Sequence, residues 1–224
     1  MNRKSITAAL LTISACLYFA VDTYGIHLCG IRIHTFAKCI PIAILLAGTV
    51  ISRFSCEDRT ARKETGLSIT ALAFSMLGDI AGDIEHLLGD ASFLLMVAFF
   101  MVAQIFYALR ANMRRDSDHY QVFLVSGLLL YAITLASVIL QSIDSTVLTI
   151  AVTVYVLAIF SMGYFTFRSK TFRKWVPVLG ASLFIISDSL IAVHAFVTPV
   201  PMRSYLVMGT YYAAQILLNW RYAV

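Results

Sequence analysis

Nearly all of the twelve carboxylates in this 224-residue chain sit in polar segments or at the ends of apolar runs, but two do not. Asp79 lies in SMLGDIAGD and Asp188 in FIISDSLIA. A carboxylate among apolar neighbours at membrane depth costs several kcal/mol unless it is paired, protonated or turned to a wet cavity, so each is a candidate for chemistry. Two such groups brought close in a low dielectric share a proton and titrate as a pair, which suits general acid–base catalysis. Other polar residues fall within the same apolar runs: Lys38, Gln104, Ser187 beside Asp188, and Tyr211, Tyr212 and Gln215 near the C-terminus. Tyr211 and Gln215 are one helical turn apart and share a face. Ser75, Gly78 and Gly82 form a small-residue stripe that lets a neighbouring helix approach.

The elements that must position these groups are apolar and long. Hydrophobic residues make up 60% of the chain and charged residues 13%, about half the share usual in a soluble domain. Eight apolar stretches cover 5–22, 34–52, 66–84, 91–110, 120–141, 146–167, 176–197 and 203–222. Each approaches the ~20 residues that cross ~30 Å of hydrocarbon as a helix. The expected fold is an all-α, polytopic membrane bundle of about eight transmembrane helices forming a single domain, 1–224. The first stretch, behind Arg3 and Lys4, resembles a signal peptide but is read as the first span, because no cleavage site precedes a soluble domain.

Basic residues orient the bundle. With the N-terminus in the cytoplasm, 14 of the 17 lysines and arginines fall on the inner side, in the segments around Arg3, Arg53–Lys63, Arg110–Arg115, Arg168–Lys174 and Arg221. Arg32 and Arg203 are outside, and Lys38 is within the second span. This asymmetry, which favours an even number of spans, predicts cytoplasmic N- and C-termini. It also explains the net charge of +5 as anchoring beside anionic lipid, so the expected partner is the bilayer and no nucleic acid.

Asp79 and Asp188 are each 12–13 residues in from the cytoplasmic side, or about 18–20 Å, so they share one depth and can face each other. Asp83, Glu85, His86 and Asp90 read as a solvated acidic loop, and His194 as an interfacial residue. Cys29 and Cys56 lie on opposite faces, Cys16 and Cys39 within spans, and no zinc spacing or Gly-rich phosphate loop occurs. No metal or cofactor is expected.

The segments SMLGDIAGD, FLLMVAFFMVAQIFYAL, GASLFIISDSLIA and TYYAAQILL, with Lys38 and Pro41 in AKCIPIAILL, resemble the YhhN-like lysoplasmalogenases, eight-helix membrane proteins. The blocks occur in the family's order along nearly the whole chain. At one position it departs: Gln104 stands where the family typically has a histidine before the tyrosine. The resemblance implies a hydrolase that cleaves the vinyl ether bond of lysoplasmalogens, giving a fatty aldehyde and a glycerophospho-choline or -ethanolamine. Such a bond breaks by protonation of its β-carbon, addition of water to the resulting cation and collapse of the hemiacetal. One carboxyl must give a proton, and one carboxylate must steady the cation and orient water, in parallel with glycosidases. Asp79 and Asp188 would be that pair. Tyr211 and Gln215, with Tyr212, Gln104 and Ser187 about them, would place the water or the glycerol oxygens. Lys38 would meet the phosphate of the lysophospholipid substrate.

Two other readings use the same carboxylates. An intramembrane aspartyl protease also needs two membrane aspartates, but the last span reads TYYAAQILLNW and lacks the Pro-Ala-Leu motif of those enzymes. A transporter or proton channel could use Asp79, Asp188 and Lys38 as an ion path; inverted repeats and broken helix pairs are not evident. The host membrane, a bacterial inner membrane or the endoplasmic reticulum, and the oligomeric state are not encoded in these features.

Overall fold

In the computed structural model, which describes residues 3–25, 27–28, 31–114, 121–169 and 175–223, the apolar runs are helices. They are α1 (Arg3–Tyr24), α2 (His34–Phe54), α3 (Arg59–Asp83), the single turn α4 (Glu85–Leu88), α5 (Asp90–Asn112), α6 (Gln121–Leu140), α7 (Thr146–Phe167), α8 (Trp175–Phe196) and α9 (Arg203–Ala223). A two-residue hairpin, β1 (His27–Leu28) with β2 (Ile31–Arg32), joins α1 to α2 and was not expected from the sequence. Cys29, Arg115, Lys170, Arg173 and Lys174 lie outside the described residues.

Among the described residues eight helices are long, and seven of them are long and apolar enough to cross a membrane. The eighth, α9, has the length at 21 residues but interleaves Arg203, Thr210, Gln215, Asn219 and Arg221 with its apolar positions. The distribution of side chains fits lipid as solvent. Val147, Ile150, Val154 and Leu157 stand exposed at helical spacing along α7, whereas Asp79, Gln104, Gln215 and Asn219 are buried. The chain is an integral, multi-pass membrane protein of all-α architecture.

Contacts divide it into two units. The first comprises Met1–Phe99 and Asn219–Val224. Within it α2 packs against both α1 and α3, over a core that includes Tyr18, Ile42, Leu45 and Leu72. Helix α3 begins at Arg59, two turns before the span expected from hydropathy. The Asp58 side chain accepts the Ala61 N–H at 2.9 Å and caps a polar start that hydropathy overlooks. Those turns carry Glu64, which is fully buried and accepts a hydrogen bond from the Tyr222 hydroxyl at 3.1 Å. Gly82 of the small-residue stripe admits α5 closely, since a Cβ there would lie 2.8 Å from the Met96 sulfur.

The second unit is Phe100–Leu218. Helices α6, α7 and α8 pack on one another. Phe100, Phe184 and Tyr211 meet edge-to-face with centroids 5.6–6.4 Å apart, a geometry favoured by the ring quadrupoles. Gly180 lets α8 approach α9 at backbone distance. A Cβ there would fall 3.0 Å from Leu217 Cβ and 3.1 Å from the Leu218 nitrogen.

Candidate active site

Asp79 lies in the first unit and Asp188 in the second, and each has its own set of partners.

Helix periodicity builds the Asp79 set. His34 and Lys38 are one turn apart on α2, and Asp79 and Asp83 one turn apart on α3, so two packed helices offer two facing pairs. Lys38 Nζ donates to Asp83 Oδ1 at 2.9 Å and to the Asp79 carbonyl at 3.2 Å, and lies 3.8 Å from Asp79 Oδ1. His34 continues the row, with Nδ1 3.2 Å from Asp83 Oδ2 and Nε2 3.1 Å from Asp22 Oδ1 on α1. Asp83 therefore ends α3 as a part-buried group holding Lys38 with one oxygen and His34 with the other. The sequence reading of it as part of a solvated acidic loop is corrected. Pro41, one turn past Lys38 on α2, lacks the N–H that would bond the Ala37 carbonyl. Removing Lys38 would take away the ammonium between the two carboxylates, and breaking such buried pairs costs about 3–5 kcal/mol.

The Asp188 set draws on three helices. The Tyr155 hydroxyl (α7) donates to Asp188 Oδ2 (α8), and Gln104 Nε2 (α5) reaches the same oxygen at 3.4 Å. Gln104 is fully buried, and its Oε1 has no hydrogen-bond partner among the described residues. A buried acceptor left unpaired costs about 1–3 kcal/mol, so this oxygen is poised for a donor from a ligand or water.

The remaining expected residues lie in the second unit with Asp188. Gln215, fully buried, accepts the Tyr107 hydroxyl at 2.6 Å, and Tyr211 and Tyr212 are each 3% exposed with centroids 5.8 Å apart. The Ser187 hydroxyl donates to the Val207 carbonyl at 3.0 Å, which ties α8 to α9 and commits its proton to a carbonyl oxygen that is no general base. Ser189 donates to Ile185 O and accepts the Tyr131 hydroxyl. His194 Nδ1 accepts the Val200 N–H at 3.1 Å and so fastens the turn between α8 and α9. Among the described residues no group of three or more His, Cys, Asp or Glu side chains is arranged to hold a metal ion.

Sequence reasoning missed Tyr155, His34 and Asp22. The two pairs at four-residue spacing, His34/Lys38 and Asp79/Asp83, were available as a signal. Tyr155 was visible only as a hydroxyl inside TVLTIAVTVYVLAIF.

Comparison with known proteins identifies the family of the chain. The YhhN family model matches residues 33–221, a stretch that includes Lys38, both aspartates, Gln104 and Gln215. Lysoplasmalogenase TMEM86A of Homo sapiens is 30% identical over 199 residues, covering 83% of this chain and 76% of that protein. Lysoplasmalogenase TMEM86B of Sus scrofa is 38% identical over 72 residues, 32% of this chain and 30% of that one. Lysoplasmalogenase TMEM86A of Bos taurus is 56% identical over 39 residues, 17% and 16% of the two chains. No solved structure matches. The family model and the long alignment bear out the resemblance carried by the LGD, SDS and YYAAQ blocks: this chain belongs to the YhhN family.

Proposed function

We propose that this protein is a lysoplasmalogen hydrolase that cleaves the vinyl ether bond, releasing a fatty aldehyde and a glycerophospho-choline or -ethanolamine. The observation that carries this reading is the alignment with a lysoplasmalogenase over 83% of the chain. The chemistry of the two carboxylates fits it.

In this reading Asp79 gives a proton to the β-carbon of the alkenyl ether. The electrons of the double bond take it, and the positive charge settles on the ether carbon and oxygen. Asp188 supplies the opposite need. Both hydrogen bonds to its Oδ2, from Tyr155 and Gln104, are donated, so it stands as an acceptor able to orient a water and take its proton. Gln104 Oε1 accepts from that water or from the glycerol hydroxyl, and amide chemistry here replaces the histidine typical of the family without itself shuttling a proton. Tyr211, Tyr212, Gln215 and Ser187 have the role of placing the water or the glycerol oxygens. The substrate phosphate comes to Lys38, sharing its ammonium with Asp83 and Asp79. Proton donation to carbon, water addition and hemiacetal collapse return the proton taken at the start, so the reaction consumes only water.

The test is aldehyde release from an alkenyl lysolipid by the purified protein. A transporter or proton channel, which would also suit the charged row around Lys38, releases none. The termini are assigned to the cytoplasm in the same reading. Tags at residue 1, in 110–119 and at 224 should report that side, and a tag in 142–145 the other; termini on opposite faces would undo the assignment.

A further inference from the structure

His34 faces a carboxylate with each ring nitrogen. A neutral imidazole has one N–H, and a carboxylate oxygen only accepts. Both contacts are satisfied only when Asp22, His34 and Asp83 together hold one proton more than a neutral ring and two carboxylates. That proton sits on the ring as imidazolium or on a flanking carboxyl. The charge count of the wider row leads the same way. Asp22, Asp79 and Asp83 number three against Lys38 and His34, so even with both bases charged one further proton is needed for neutrality, and net charge is costly away from water.

Exposure falls along the contacts. The side chains of His34 and Asp22 are 32% and 20% exposed, those of Asp83 and Lys38 14% and 13%, and that of Asp79 3%. His34 is the first residue of α2, next to the hairpin, with the Tyr18 ring 5.2 Å away on α1. The groups facing it are therefore Asp22 and Tyr18 from α1, Lys38 from its own helix and Asp83 from α3.

We propose that His34 is the proton-entry residue that reloads Asp79 between turnovers. The imidazolium gives the Nδ1 proton to Asp83 Oδ2. Lys38 yields a proton to Asp79 Oδ1 as the 3.8 Å gap closes, which frees the lone pair of its nitrogen. A half-turn of the Asp83 carboxyl about its Cβ–Cγ bond then presents its proton to that amine, so Lys38 ends the relay as the ammonium it began. His34 regains its proton from water, and the proton released when water adds to the substrate returns to the bulk, so none is gained or lost over a cycle. His34 acts through Asp83 and Lys38 and touches no substrate. This role rests on the reading of Asp79 as the proton donor to carbon.

The experiment compares His34→Gln, His34→Ala and Asp22→Asn with the parent in aldehyde release across pH, beside Asp79→Asn. His34→Gln should lower kcat about 10- to 100-fold at unchanged KM, the scale of one proton-transfer group. The deficit should widen as pH rises and free protons become scarce, and added imidazole should restore part of the His34→Ala rate. Asp22→Asn should shift the profile the same way by a few-fold. A parental kcat and pH profile in His34→Gln would overturn the relay. So would a loss equal at every pH, insensitive to imidazole and accompanied by lower thermal stability, because that marks a clamp between helices. If neither His34 variant can be purified, a parental profile in Asp22→Asn overturns it instead. Turnover by Asp79→Asn would defeat the reading of Asp79 itself, separately from anything His34 does.

Discussion

Around Asp79 the named partners are charged, with the Lys38 ammonium held between it and Asp83 and His34 and Asp22 completing the row. Around Asp188 they are neutral, a tyrosine hydroxyl and an amide that both donate to one carboxylate oxygen. A row of exchangeable groups suits a carboxyl that must lose a proton and regain it. Two neutral donors on a single oxygen fix an orientation without supplying another charge, and that suits a carboxylate that must hold water. Two aspartates of one residue type, at one expected depth, are thus differentiated by their neighbours, the logic by which paired carboxylates divide acid and base roles.

The largest effect expected from breaking this contrast is at the carboxylates themselves. Asp79→Asn and Asp188→Asn should each lower turnover by about a thousandfold or more while the protein still inserts, since Asn keeps size and hydrogen bonding but exchanges no proton at neutral pH. Near-parental turnover in either variant would reduce that residue to a contact between helices.

Lys38→Met comes next. Turnover should fall about a hundredfold, and thermal stability should fall with it, because the ammonium between Asp79 and Asp83 is lost and, of the two, only Asp83 still has His34. Unchanged stability would show that the row carries no net interaction.

Tyr155→Phe should be milder, about tenfold in kcat, since one hydrogen bond to a charged group is worth about 1.5–3 kcal/mol and Gln104 remains. The contrast sharpens if the Tyr155→Phe pH profile keeps the parental shape while that of His34→Gln changes. Matching changes would make the two surroundings equivalent.

The smallest effect is expected at Gly180, outside both clusters. Gly180→Ala should lower thermal stability modestly, because its Cβ meets the Leu218 backbone nitrogen at 3.1 Å, with little change in the activity of the folded protein.

Much of the frame was legible because hydropathy and length are direct physical requirements of a bilayer. The helices of α2, α7 and α8 fall within about two residues of the stretches read from the sequence. The start of α3 was not legible, since polar turns capped by Asp58 carry no hydropathy signal. Asp79 and Asp188 were legible as charges in apolar runs; their partners were less so. Asp83 reads as a loop acid until α2 is set beside α3, and only then does its spacing from Asp79 match that of His34 from Lys38. Tyr155 depends on which face of α7 meets α8, and α7 is so uniformly apolar that no period marks that face. Gln104 was legible as a polar residue in an apolar run, yet that its Oε1 has no hydrogen-bond partner among the described residues is a property of packing alone.

The central claim, proton transfer to carbon by membrane carboxylates, is tested most directly by offering the purified protein three lysolipids of equal chain length. One carries an alkenyl ether, one a saturated alkyl ether and one an ester, and the products of each are measured in ordinary and deuterated water. Aldehyde should form from the alkenyl ether alone and more slowly in deuterated water, because the saturated ether has no β-carbon to protonate and no stabilised cation. Ester cleavage should be negligible, since Ser187 is bonded to a backbone carbonyl and no activated nucleophile has been found beside Asp188 among the described residues. Fatty acid released from the ester at a rate comparable to aldehyde from the alkenyl ether would contradict the carboxylate mechanism, even with both aspartates essential.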